Sequence, residues 1–474
     1  MTQTTYTISE WDALGRGVAR HVLEDGRSVA VAIPSTIVGE SVSITSIRKC
    51  CRGPVRRVGD LASIITPSPY RVSPRCPHVG VCGGCAWQHI DYQCQLVQKE
   101  QWVRHLFAPL GLGSSAFHPI IGCSDPWGYR NKMEFSFSQD REGKRFLGLF
   151  ARQRRRTVFD LKECYLVNPW MAETLHHIRE WWSMSNLAAY RPETDEGSLQ
   201  TATMRESATC GDRMVILTVS GNPSFALKSH HLDEFVAVLR KVATPQKGTL
   251  SIVLRIRQIA KKMPTQFYEM ILFGPDVIRE VLNVETKPGL TRTLEFHISP
   301  QAFFQPNTLQ AMKIYSKALQ LAALEDDQVV YDLYCGIGVF GMFASMEARR
   351  AVGVELSRES AYDAKTNAQR LGLANFSIQT GDVATVVASM KKEGLFEPPS
   401  TVIVDPPRAG LMPAALEEIV SLEPKTIVYV SCNPETQARD AQVIKQLGWT
   451  IEAIVPIDQF PHTVHVENVL VARK

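Results

Sequence analysis

The chain has 474 residues, 45% of them hydrophobic and 21% charged, and a formal net charge of +4. That is an ordinary globular composition with room for two to four domains; no apolar run approaches the roughly 18–20 residues that cross a bilayer, and the polar stretch 1–10 lacks the apolar core of a secretion signal, so a cytoplasmic protein is expected. The charge is uneven: residues 1–160 carry 21 Lys/Arg against 13 Asp/Glu, the remainder 31 against 35, and a basic front suits a chain that meets a polyanion with its first part.

Residues 5–65 alternate apolar and polar positions between glycines, as in Ser28-Val29-Ala30-Val31-Ala32-Ile33-Pro34, which predicts a small β-barrel. Arg48, Lys49, Arg52, Arg56 and Arg57 give it a basic edge. Residues 66–75 are proline-rich and read as a linker.

The stretch 76–91 carries Cys76-x5-Cys82-x2-Cys85, part of an odd set of eleven cysteines. Without a secretion signal they are expected to stay reduced, so clustered ones are candidates for a bound centre or for catalysis. Four thiolates suit an iron–sulfur cluster or a tetrahedral zinc. Spacing does not separate the two, nor does it choose a fourth ligand among Cys94, Cys123 and Cys164.

Residues 92–108 predict a helix, with Leu96, Val97, Val103 and Leu106 as its apolar positions among Lys99, Glu100 and Arg104. From 125 to 290 strands and helices mix without a parallel pattern. The run 129–137 alternates as a strand with Arg130, Lys132 and Glu134 on one face, and Arg152 and Arg154 to Arg156 make a basic patch.

From about residue 291 strands alternate with helices, which predicts a parallel sheet covered on both faces. Asp332-Leu333-Tyr334-Cys335-Gly336-Ile337-Gly338-Val339-Phe340-Gly341 sits between a strand and a helix, where glycines let the backbone approach a nucleotide-like ligand. The next strand ends at Glu355, placed to accept hydrogen bonds from ribose hydroxyls. Asp405-Pro406-Pro407-Arg408 closes a later strand with a rigid loop, and nothing demands a phosphate cradle, so the pattern favours S-adenosylmethionine over a dinucleotide.

Tyr429-Val430-Ser431-Cys432-Asn433-Pro434 puts a cysteine just past a strand of the same sheet, at the carboxyl ends where such folds bind ligands. The segment 462–469 alternates, so that His465 and Glu467 share a face. A thiol and a carboxylate are the minimum set for alkylating carbon 5 of uracil. The thiolate adds at carbon 6 and makes carbon 5 nucleophilic; the base later removes the carbon-5 proton. His462 and His465 read as structural.

Taken together, these residues resemble the RNA uracil-5 methyltransferase family over nearly the whole chain. The resemblance implies an α/β fold: a Rossmann-like S-adenosylmethionine-dependent methyltransferase domain (92–124 and 291–474), an OB-like TRAM RNA-binding barrel (1–65), and a central α+β domain (66–91 and 125–290) carrying an iron–sulfur cluster. Cys76, Cys82, Cys85 and Cys164 match the four [4Fe–4S] ligands of the family's ribosomal-RNA branch, which implies 23S ribosomal RNA as substrate. The transfer-RNA branch lacks barrel and cluster. Gln305 in Phe304-Gln305-Pro306-Asn307, Tyr334, Glu355 and Asp405 match the family's cofactor contacts, with Asp382 a less specific one; Cys432 matches its nucleophile and Glu467 its base. Val339 stands where many relatives carry a polar residue or glycine. A monomer is expected. The competing readings are methylation of an exocyclic amine or of cytosine carbon 5, 5-methyluridine formation in transfer RNA, and a non-catalytic iron–sulfur RNA-binding protein.

Overall fold

The computed structural model describes residues 5–50, 53–152, 157–259 and 265–474. Arg52 and Arg154 to Arg156 of the expected basic surfaces lie outside them. No helix among the described residues is long and apolar enough to cross a membrane.

The N-terminal strands form one six-stranded sheet, in the order Thr5–Thr7, Ser41–Lys49, Arg57–Thr66, Ser28–Ile33, Gly17–Val22, Glu10–Trp11. It closes on a small core of Tyr6, Ile8, Ala19, Val31, Ile33 and Val42. The middle of the chain builds a seven-stranded sheet from Lys132–Gln139 through Gln266–Phe273, antiparallel except where Arg213–Ser220 pairs with Leu250–Gln258. Helices Pro169–Met184 and Ser229–Val242 pack together and bury Trp181, Trp182 and Phe235 in that sheet's core. The expected domain boundary at 290/291 falls at the tip of a hairpin, Ile278–Lys287 with Leu290–Ile298. Both its strands share one core with helix Thr308–Ala322, because Leu282, Val284, Leu294 and Phe296 pack with Ile314 and Phe343.

The C-terminal sheet has seven strands in the order Phe376–Thr380, Arg350–Glu355, Val329–Leu333, Thr401–Val404, Thr426–Ser431, Glu467–Arg473, Thr450–Ile457. The first five are parallel, Glu467–Arg473 runs against them, and Thr450–Ile457, antiparallel to that strand, again points with the five. Val329–Leu333 and Thr401–Val404 are neighbours whose following strands run outward in opposite directions, so a crevice opens between their carboxyl ends. Tyr334 and Asp405 are the first residues past those two ends.

The helix Tyr92–Phe107 packs on this sheet's antiparallel side, and the segment after it runs alongside Thr450–Ile457 through the bridges Phe117 to Ile454 and Ile121 to Ile457. Its buried stripe differs from the expected one. Gln95, Lys99, Val103 and Phe107 face inward at four-residue spacing, whereas Val97 is 50% exposed. Two polar residues tolerate that stripe because each has a buried partner: Gln95 hydrogen-bonds the backbone at Trp87, Ile90 and His462, and Lys99 donates to Asp458 at 2.6 Å.

Candidate active site

The cofactor crevice begins with a sharp turn. Tyr334 has φ 64°, Gly336 φ 56° and Gly338 φ 81°, and helix Val339–Ser345 starts at Gly338. Two close approaches hold the turn. Asp332 Oδ2 accepts from the Gly341 N–H at 2.7 Å, and a Cβ on Gly341 would stand 2.4 Å from the Phe376 ring. Glu355 accepts from the N–H of Gly336 at 2.9 Å with one oxygen and from that of Ser357 at 2.7 Å with the other, so its carboxylate is fixed at the rim of the same turn. Asp382 caps helix Val383–Lys392 through the N–H groups of Ala384 and Thr385. Its charge, after burial, helps raise the Tyr334 phenol. Val339 is buried as the first residue of its helix.

Gln305 is buried, and its side-chain oxygen accepts from Gln459 at 3.2 Å. Asn307 caps helix Thr308–Ala322 and donates to the Gln459 carbonyl, so the Phe304-Gln305-Pro306-Asn307 stretch is tied to the segment leading to Glu467.

That segment departs from the sequence expectation. Residues 461–466 form a turn rather than a strand, with His462 at φ 64° and the His465 N–H bonded to Thr463 Oγ1. His462 stacks on Trp127 at 3.9 Å. Burial pushes both imidazoles down to about 4, so they are neutral at pH 7.

The strand Glu467–Arg473 begins at Glu467 and runs antiparallel to Thr426–Ser431, Asn468 opposite Ser431. Cys432 and Glu467 are the residues next to that last pair, and the Glu467 charge acts on the Cys432 thiol. Gln437 fixes the spacing from the helix behind: its amide donates to the carbonyls of Tyr429 and Asn468, one on each strand, and accepts from Asn468. Cys432, Glu467 and Asp405 therefore form one group. Burial, then the charges of Glu467 and Asp405, push the thiol up to about 11, against the pull of the Arg408 guanidinium that hydrogen-bonds it. Burial and Asp405 push Glu467 up to about 8, and burial alone lifts Asp405 to about 7.

Glu467 Oε2 and Asp332 Oδ1 are buried without a hydrogen-bond partner. An unpartnered carboxyl oxygen beside the thiol, on a group raised to about 8, fits a residue that exchanges a proton during a reaction. Arg408, Gln437 and Gln459 were not singled out from the sequence. Only Arg408, next to the two prolines, carried a positional hint.

The other four cysteines meet elsewhere. Cys76, Cys82, Cys85 and Cys164 line one pocket whose remaining walls include Met133, Leu149, Leu161 and Leu166. Cys94 lies in the 92–107 helix, and Cys123 donates to the Asp125 carbonyl; neither lines the pocket. Burial dominates at all four thiols and pushes Cys85 up to about 12, with the charges of Cys82, Cys164 and Cys76 adding to it. Among the described residues no group of three or more His, Cys, Asp or Glu is arranged to hold a metal ion. The donor set, four thiols in an apolar pocket, is nonetheless of the chemical kind that an iron–sulfur cluster takes.

Residues 233–474 match the family described as tRNA (uracil-5-)-methyltransferase. An uncharacterized RNA methyltransferase of Protochlamydia amoebophila is 46% identical over 92% of this chain and 98% of that protein. One from Caldanaerobacter subterraneus is 34% identical over 98% of this chain and 97% of its own. Among solved structures, the Pyrococcus abyssi tRNA (uracil-54, C5)-methyltransferase in complex with S-adenosyl-L-homocysteine superposes with a TM-score of 0.71 over 99% of this chain and all of that one; at 23% identity this is a likeness of fold.

Proposed function

This chain belongs to the tRNA (uracil-5-)-methyltransferase family, and from that premise we propose that it methylates carbon 5 of a uridine in 23S ribosomal RNA, with Cys432 as nucleophile and Glu467 as base. Membership makes it an S-adenosylmethionine-dependent RNA methyltransferase. The observation that supports the residue assignment is that Glu467, with an unpartnered carboxyl oxygen, acts on the Cys432 thiol, both residues adjoining the Ser431–Asn468 pair.

On this reading the Cys432 sulfur forms a bond to carbon 6, and the electrons of the 5,6 double bond move onto oxygen 4 as an enolate. The thiol must first lose its proton. Asp405, at about 7, is the acceptor at hand, which keeps Glu467 for the later step, and Arg408 steadies the sulfur anion. S-adenosylmethionine bound between the 334–341 turn, Glu355 and Gln305 would supply a methyl group as an electrophile, with Asp382 beside Tyr334. Carbon 5 takes the methyl, Glu467 removes the carbon-5 proton, and the carbon–sulfur bond breaks to restore the double bond and release Cys432. The target uracil has to leave any stack to reach this site, at about a few kcal/mol.

The ribosomal substrate is what the resemblance's ribosomal branch implies; the six-stranded N-terminal sheet and the four-thiol pocket accord with it but do not separate it from transfer RNA, because the Pyrococcus abyssi tRNA enzyme shares the fold over 99% of this chain. Cys76, Cys82, Cys85 and Cys164 would hold a [4Fe–4S] cluster, or zinc as the alternative, and so join the 76–85 loop to the segment at 164. Nucleoside mass spectrometry of RNA from cells lacking the protein tests the substrate. Loss of 5-methyluridine from large-subunit RNA is expected; loss from transfer RNA alone assigns the chain to the other branch.

A further inference from the structure

Between the N-terminal sheet and the Tyr92–Phe107 helix lies a cleft of about 350 Å³ that the proposed reaction does not use. Its aromatic lining comes from three parts of the chain. Trp11 stands on the short Glu10–Trp11 strand, Trp87 follows the cysteine segment, and Trp102 and His105 lie three residues apart on the helix. The Trp11 and Trp87 rings pack at 5.5 Å, inclined by 52°. Trp11 and Trp102 remain half-buried and His105 is exposed, so aromatic surface is left facing water.

The cleft walls combine the indoles with Val38 and Val464 and the uncharged Ser9, Gln98 and Gln101, and carry one exposed carboxylate, Glu10, at the edge. The two buried charges bordering it are each held in an ion pair, Asp12 with Arg16 at 2.5 Å and Lys99 with Asp458 at 2.6 Å. Such walls suit the face of a nucleobase better than a phosphate, since every base has a π-face that stacks on indole or imidazole. The volume falls in the range of small-ligand sites.

Position says which base. Val464 lines the cleft, and the same residue presses on Gly15 of the N-terminal sheet, where a Cβ would stand 2.1 Å from its methyl. Val464 is three residues before Glu467, which limits their Cα separation to about 11 Å. Trp87 is tied to the same turn through its N–H, which donates to the His462 carbonyl at 3.0 Å.

We infer that this cleft receives an unpaired nucleobase of the substrate RNA, close in sequence to the target uridine, by stacking on Trp102 and Trp11. The inference rests on the reading that the target sits at Cys432 and Glu467.

The test compares binding of a short oligoadenylate with that of an abasic oligonucleotide of the same length, on the full-length protein. Oligoadenylate should bind wild type about tenfold more tightly than the abasic strand, and Trp102→Ala should remove that advantage while Trp102→Phe keeps most of it. Unchanged S-adenosylmethionine affinity certifies the fold. Should Trp102→Ala lose that affinity, Trp11→Ala, outside the catalytic domain, carries the same comparison. Photo-cross-links from a 5-iodouridine RNA should map to Trp11 or Trp102. Equal binding of the two strands, or an advantage that survives both alanine variants, overturns the inference and leaves the cleft as a seat for a protein segment. Methylation surviving in Cys432→Ala would instead sink the site reading, and the binding comparison would stand apart from it.

Discussion

Cys432 stands at the end of a parallel strand among two carboxylates and a guanidinium, whereas Cys76, Cys82, Cys85 and Cys164 line a pocket walled by Met133 and three leucines. The thiols are raised in both places, chiefly by burial. What differs is the company. Beside Cys432 are two raised carboxyls and a guanidinium; the four thiols chiefly face one another and apolar walls, with Glu163 acting on Cys76, Arg152 on Cys82 and Arg130 on Cys164. Chemistry that turns over needs the first setting, and a bound centre that stays put needs the second.

The sharpest way to break this comparison is to remove the lone thiol. Cys432→Ala should lower methylation on the order of 10⁶-fold, as loss of a covalent nucleophile does, with S-adenosylmethionine affinity unchanged in calorimetry. A variant retaining a tenth of wild-type activity would refute the covalent route.

Removing the proposed base should cost less, about 10²- to 10⁴-fold. Glu467→Gln should stall after methyl transfer and accumulate a protein–RNA adduct that survives denaturing gels. The pH dependence sharpens this. A buried Glu467 at about 8 keeps its proton at neutral pH in the free enzyme, while the reaction needs it ionised. The rate of adduct breakdown in wild type should therefore rise with pH up to about 8, and the Gln variant should lose that limb. The same upward shift means that the folded chain binds a proton which the unfolded chain, with an ordinary glutamate at about 4.3, has released. Its contribution to stability is present below that value and is lost as pH rises through about 8.

The smallest effect on the reaction is expected at the pocket. Cys85→Ser should abolish bound iron by elemental analysis and lower the melting temperature, while methylation falls less than in either catalytic variant. Full iron content in Cys85→Ser would remove that residue from the proposed ligand set.

The parallel sheet, its glycine turn and the residues at its strand ends were legible because each is a local pattern: a buried run, then glycines or prolines, then a polar side chain. The pairing of Cys432 with Glu467 came from the chemistry and the family resemblance rather than from a local pattern, since their meeting depends on antiparallel pairing between segments joined through a helix and another strand. Lys99 shows the same limit more sharply. Periodicity placed it among the polar positions of its helix, yet it is 1% exposed, because its partner Asp458 lies 359 residues away. The 461–466 turn was misread as strand because alternation alone cannot register a positive φ at His462.

The crowding of carboxylates around Cys432 bears on how the enzyme survives between turnovers. A sulfur held in the thiol form reacts sluggishly with peroxide and alkylating agents, because it is the thiolate that they attack. With its thiol pushed up to about 11, Cys432 in the free protein should therefore react with iodoacetamide at neutral pH more slowly than an exposed cysteine does.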